Sequence, residues 1–191
     1  MKKYLFLLSL LVWSRIGVAQ HQKERKCFLP DYTKIQFAGN IGFLSIGIGY
    51  QLFNDGFNTE LIYGYVPKAY AHTQIHTITT KNIVPLWRIH SPNFIFTPYL
   101  GMTLSFETGN STFVKLPSQY PSGYYSTNAF HFCVLGGISA YYSFETTKAI
   151  KGFAFYVETV AVDSFLWYEL SSDQVRMSQI LSLALGINFY F

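Results

Sequence analysis

The chain has 191 residues, 50% of them hydrophobic, 19% aromatic and only 13% charged, where an ordinary soluble domain carries about 25% charged residues. That balance excludes a disordered chain, and no apolar run after the first 20 positions approaches the ~20 residues a membrane-spanning helix needs. The formal charge of +4 falls to +1 once Lys2, Lys3 and Arg15 are set aside, so the basic balance gives no warrant for nucleic-acid binding.

Those three cations belong to a segment with the order of an export signal. Lys2 and Lys3 form a positive start, Tyr4 to Trp13 an apolar stretch, and Gly17-Val18-Ala19 a small-residue cleavage site. Residues 1–19 are therefore expected to be removed, leaving an N-terminal segment 20–32 ahead of a single domain 33–191. Cys27 and Cys133 would then share an oxidising compartment, and whether they pair stays open. Cys27 follows Lys23-Glu24-Arg25-Lys26 and does not resemble an acylation site. No CxxC, HExxH or clustered His/Cys spacing suggests a metal, and no cofactor is expected.

From Thr33 onward the chain reads as β segments with period-2 alternation, punctuated by turn residues. Eight strands are predicted: 33–40, 42–53, 57–67, 76–89, 94–108, 126–144, 152–169 and 176–191. In the second, Leu44, Ile46, Ile48, Tyr50 and Leu52 oppose Ser45, Gly47, Gly49 and Gln51. In the fifth, Phe94, Phe96, Leu100, Met102, Leu104 and Phe106 oppose Thr97, Tyr99, Gly101, Thr103, Ser105 and Glu107. The sixth sets Phe130, Phe132, Val134 and Ile138 against His131, Cys133, Gly137 and Ser139. The last sets Leu181, Leu183, Leu185, Ile187, Phe189 and Phe191 against Ser182, Ala184, Gly186, Asn188 and Tyr190.

The fold this predicts is all-β, an eight-stranded antiparallel up-and-down transmembrane barrel. An interior of eight strands is only wide enough for one layer of packed side chains, so the bulky face must look outward. Outward into water, it would exceed by far the few hundred Å² of apolar patch that soluble monomers tolerate; lipid is the consistent solvent. An even strand number with short inner turns (54–56, 91–93, 145–151) and longer outer loops (39–41, 68–75, 109–125, 170–175) fits a bacterial outer-membrane barrel, with Trp87 and Trp167 suited to the interfacial girdles. The expected location is the cell outer membrane. A secreted soluble lipid-binding barrel has the same strand number and is the rival, but the G-x-W sequence of lipocalins is missing near the first strand.

Carried through every strand, the alternation puts Lys34, Gln36, Glu60, Arg88, Thr97, Tyr99, Glu107, His131, Tyr141, Tyr156, Glu158, Asn188 and Tyr190 inside. Buried charges require partners, and a Glu60–Arg88 pair is expected at the inner end, with Lys34 and Glu158 completing two acids and two bases. The set Lys34, Glu60, Arg88, Tyr99, His131, Tyr156 and Glu158 is the candidate lumen cluster, read chiefly as a hydrogen-bonded plug. Loop 109–125, with Tyr120, Pro121, Gly123, Tyr124 and Tyr125, suits either an adhesive surface or a lid over the barrel mouth.

The terminal strand ending in Phe189-Tyr190-Phe191 resembles that of outer-membrane barrel proteins, which implies recognition by the barrel-insertion machinery. The order of segments, with Lys34-Ile35-Gln36-Phe37-Ala38-Gly39-Asn40, Ser45 to Tyr50, Ile83-Val84-Pro85-Leu86 and Pro98-Tyr99-Leu100-Gly101-Met102, resembles the eight-stranded outer-membrane barrels related to lipid A 3-O-deacylase, especially small Bacteroidetes-type barrels. The resemblance implies contact with outer-membrane lipid and lipopolysaccharide. In that family an H-x-S-N motif supplies base and nucleophile; the corresponding stretch here is Val162-Asp163-Ser164-Phe165. Ser164 would stand at the nucleophile position, with Val162 where the His should be, and a Ser without its base is poorly activated. The expected role is thus non-enzymatic, structural or surface-interaction; a lipid A-modifying esterase or deacylase using Ser164 is the alternative.

Overall fold

The computed structural model describes residues 29–71, 73–109, 112, 129–144, 149–162 and 181–191. Nine strands occur among them: β1 (Tyr32–Ala38), β2 (Leu44–Leu52), β3 (Phe57–Val66), β4 (Ile75–Pro85), β5 (Ile89–His90), β6 (Ile95–Thr108), β7 (Phe130–Ser143), β8 (Gly152–Val162) and β9 (Leu181–Tyr190). Eight of them are staves of one closed antiparallel barrel in up-and-down order, with β1 pairing β9 and β4 pairing β6 to complete the circuit. β5 is a two-residue ladder at the foot of β6. The all-β expectation and the strand count therefore agree with the observed fold.

The stagger of this barrel can be traced on its outer face. From Ala140 on β7 the paired residues are Phe155, Ile187, Ile35, Ile46, Tyr63, Ile78, Phe106 and, back on β7, Phe130, a slip of ten residues over one circuit. With ordinary strand spacing, eight strands and that slip tilt the staves by about 40° and give a backbone radius of about 8 Å. A tube this narrow holds side chains and little else.

The alternation decides which side chains those are. Ile46, Leu61, Ile78, Leu100, Phe132, Phe155 and Leu183 are all exposed on the outside, whereas Lys34, Gln36, Ser45, Glu60, Thr79, Lys81, Thr103, Ser105 and Glu158 are buried inside. Polarity is inverted relative to a soluble barrel. Space inside is kept by matching large residues to absent ones: Tyr32 faces Gly49, Tyr99 faces Gly137 and Tyr156 faces Gly186 as direct cross-strand partners. A Cβ at any of these three glycines would run into the tyrosine ring that lies across it. Each ring covers a bare stretch of neighbouring backbone, an arrangement that fixes register as well as filling volume.

The β2–β3, β5–β6 and β7–β8 connections lie at one end of the barrel, the turn end, and the β1–β2 and β3–β4 connections at the other, the loop end. At the turn end, residues Phe53, Asn54 and Asp55 all adopt left-handed backbone, with φ of 52°, 55° and 62°, and Gly56 N–H donates to Phe53 O at 3.2 Å. Asn and Asp tolerate that conformation better than other L-residues. At the loop end, the break expected near Gly39-Asn40 is made by Ala38 and Gly39, with φ of 59° and 76°.

The ladder on the turn-end side of β6 is irregular. β4 and β6 pair Pro85 with Tyr99, yet β5 pairs Ile89 with Phe96. Four steps on one chain thus meet three on the other, so one extra residue lies between Pro85 and Ile89. This bulge inverts the inside/outside alternation across Leu86 to Arg88. An alternation counted continuously through residues 76–89 therefore assigns one of its two halves to the wrong face.

Candidate functional site

The densest polar chemistry among the described residues lies inside the barrel, toward the turn end. Glu60, from β3, accepts a hydrogen bond from Tyr32 Oη on Oε1 at 2.7 Å and from Lys34 Nζ on Oε2 at 2.7 Å. Lys81, from β4, stands 3.9 Å from the same Oε2. Its Nζ donates to both oxygens of Glu158 on β8, at 2.7 Å and 2.6 Å. Tyr99 Oη donates to Glu158 Oε2 at 2.9 Å, and Tyr156 Oη to Gln36 Oε1 at 3.0 Å. Charges of alternating sign, Lys34, Glu60, Lys81 and Glu158, thus cross the lumen as a neutral ladder with every carboxylate oxygen engaged.

The ring of Tyr156 lies beneath both cations, with its centroid 4.4 Å from Lys34 Nζ and 5.3 Å from Lys81 Nζ. Such contacts between ammonium groups and an aromatic face strengthen as water is removed. All four charged side chains are buried to within 1% exposure. At this depth an unpaired charge would cost several kcal/mol, so the ladder works as a unit.

Of the residues proposed from the sequence, Lys34, Glu60, Tyr99, Tyr156 and Glu158 meet in this network. Arg88 does not. Its side chain is 44% exposed at the turn end and lies 3.6 Å from Asp55, so the expected Glu60–Arg88 pair is replaced by Glu60 with Lys34 and, at longer range, Lys81. The β3–β4 register is the physical reason: it sets Lys81 directly opposite Glu60 and leaves Arg88 beyond the end of β4, while the bulge after Pro85 breaks the alternation between the two. His131 also stands apart, toward the loop end, with Nε2 3.5 Å from Glu107 Oε2. Sequence reasoning misses Lys81 and Tyr32. Lys81 carries a usable signal as the only Lys, Arg, Asp or Glu between residues 75 and 85; Tyr32, expected in the segment before the barrel, is the first residue of β1.

Beyond the ladder, toward the loop end, the lumen holds aliphatic side chains among uncharged polar ones. Ile62, Leu135 and Val160 are buried there, each two residues removed from Glu60, Gly137 and Glu158 on the respective strands. Hydroxyls continue the filling, with Thr79 Oγ1 2.8 Å from Ser105 Oγ. Cys133 is a buried free thiol whose Sγ accepts from Asn40 Nδ2 at 3.2 Å; Cys27 lies outside the described residues.

The turn end also holds the last strand in place. Phe189 pairs with Thr33 and Phe153, Phe191 N–H donates to Asp31 O at 3.0 Å, and Lys151 Nζ donates to Phe191 O at 2.6 Å. Ser164, Trp167 and loop residues 113–128 lie outside the described residues, as do residues 1–28. No group of three or more His, Cys, Asp or Glu able to hold a metal occurs among the described residues. Comparison with family models, with curated proteins and with solved structures gives no match for this chain.

Proposed function

We propose that this chain is an integral outer-membrane β-barrel with a side-chain-filled lumen, serving a structural or surface-interaction role without catalysis. The observation that carries the reading is the inverted polarity of a closed barrel: outward residues such as Ile46, Leu100 and Leu183 are more than half exposed around the circumference, while two Lys–Glu pairs are buried in the lumen. Exposed apolar surface of this extent favours hydrocarbon as the surrounding medium. A ten-residue stave tilted by about 40° rises roughly 25 Å, the height of the apolar band on outer-membrane barrels. A soluble lipid-binding barrel would instead turn its large residues toward the axis.

Outer-membrane lipid and lipopolysaccharide are then the immediate neighbours, and Phe189 and Phe191 are the residues offered to the barrel-insertion machinery. The test is fractionation of the expressing cell combined with gel mobility before and after boiling. Recovery in the outer-membrane fraction, with a faster-migrating unboiled form, is the expected result. Recovery in the soluble exported fraction without detergent would overturn the proposal.

The finer resemblance, to lipid A 3-O-deacylase-like barrels, rests on segment order and on Ser164. Val162 in place of the base argues against activity. Incubation of the purified barrel with lipopolysaccharide is expected to release no 3-hydroxy fatty acid; release that Ser164→Ala abolishes would establish the hydrolase instead.

A further inference from the structure

A cavity of about 40 Å³ opens between the ladder and the turn end of the barrel. Its rim includes Asn58, Pro85, Thr97 and Ser139, all half-buried, and its inner wall includes the buried Lys34 and Glu60. Two atoms on its lining are anomalous. Asn58 Oδ1 and Asn188 Oδ1 are both buried and, like Ser45 Oγ and Thr103 Oγ1 deeper in the lumen, have no hydrogen-bond partner among the described residues; Asn188 as a whole is only 7% exposed. Leaving a buried amide oxygen unsatisfied costs about 1–3 kcal/mol, so two of them on one small cavity call for a ligand.

The lining specifies that ligand's chemistry. The amide oxygens need donors. Lys34 Nζ, bonded to Glu60, has N–H groups to spare and needs acceptors. A cation would satisfy the two amides but would meet the Lys34 ammonium; an anion would satisfy Lys34 but face the amide oxygens and Glu60. A neutral species with both donors and acceptors satisfies all three, and 40 Å³ is room for two or three molecules of water.

We infer that this cavity is a built hydration site, in which a small cluster of ordered waters joins Asn58 and Asn188 to Lys34. This cavity is therefore wet from the turn end. Water reaches Lys34 and Glu60 from the turn end and stops, because Lys81 and Glu158 are bonded to each other and Ile62, Leu135 and Val160 close the bore behind them. The cavity is thus a blind chamber whose inner wall is the ladder. The closed barrel alone suffices for this, whether or not its outer face meets lipid.

Two measurements on the full-length folded barrel in detergent micelles test it. With ¹⁵N-asparagine label, the side-chain amides of Asn58 and Asn188 are expected to show cross-relaxation to long-lived water. Absence of water contacts at both residues overturns the hydration site. With Cys27 and Cys133 replaced by Ser, silver ion is expected to titrate a thiol at Thr97→Cys or Ser139→Cys at least 100-fold faster than one at Thr79→Cys or Ser105→Cys. Comparable rates at the two levels would overturn the one-ended access, and a barrel that retains its unboiled gel mobility in each variant certifies that the folded state is being read.

Discussion

Replacing Lys81 by Met removes the cation that holds both oxygens of Glu158 and stands 3.9 Å from Glu60. What remains for Glu158 is one hydrogen bond from Tyr99, in a site where both side chains are fully buried. Breaking a buried pair from one side costs about 3–5 kcal/mol, because the surviving charge is stranded, whereas replacing both members by neutral groups is often close to neutral. Lys81→Met is therefore expected to destabilise the barrel by about 3–5 kcal/mol, and Glu158→Gln added to it should recover all but about 1 kcal/mol. Glu158→Gln thus returns about 3 kcal/mol in the Lys81→Met background, roughly 150-fold in the folding equilibrium, whereas alone it strands Lys81 and lowers stability. Reversible urea unfolding in lipid vesicles, read by the fraction of heat-shiftable band, measures all three variants. A loss below about 1 kcal/mol for Lys81→Met, or additivity in the double variant, would show that the ladder is not the stabilising unit described.

Other perturbations separate the remaining claims. Lys34→Met should cost less than Lys81→Met, about 1–3 kcal/mol, because water in the adjacent cavity can solvate the Glu60 oxygen it vacates; the same unfolding assay ranks the two. Arg88→Ala should change stability by less than about 0.5 kcal/mol, since its partner Asp55 lies 3.6 Å away with both side chains more than 40% exposed. Gly186→Val forces branched carbons into the Tyr156 ring and should cost about 1–3 kcal/mol, with partial rescue by Tyr156→Ala. Outward substitution Leu183→Arg should cost about 2–4 kcal/mol in a bilayer and much less in micelles that repack around it; equal stability of Leu183→Arg and the unsubstituted barrel in bilayers would refute lipid contact at that face.

The staves are legible in the sequence because most of them alternate cleanly: in β9, Leu181, Leu183 and Leu185 are exposed while Ala184 and Asn188 are buried, as period-2 reading requires. Turn residues such as Asn54-Asp55-Gly56 mark the strand ends, and size alone forces the bulky face outward. β4 is the weak point. Its apolar residues Ile78 and Ile83 sit on opposite faces, one exposed and one buried, and its Thr residues fit either side. With no internal vote, an alternation carried back from Arg88 crosses the bulge and loses Lys81 to the wrong face. Lys81 is set opposite Glu60 by the β3–β4 register, but its contact with Glu158 on β8 crosses the lumen and depends on how the closed barrel brings distant strands together, which no local pattern encodes.

Tyrosine rings laid over glycines at positions 49, 137 and 186 also mean that the bore is occupied by removable parts. Each ring rests on a wall with no side chain of its own, so trimming Tyr32, Tyr99 and Tyr156 to alanine would leave smooth backbone and no replacement atoms to collapse inward. Those three truncations, with the ion ladder neutralised alongside, would widen the turn-end chamber by the volume of the vacated rings, while Ile62, Leu135 and Val160 still close the bore behind it and the strands lose the contacts that help hold their register.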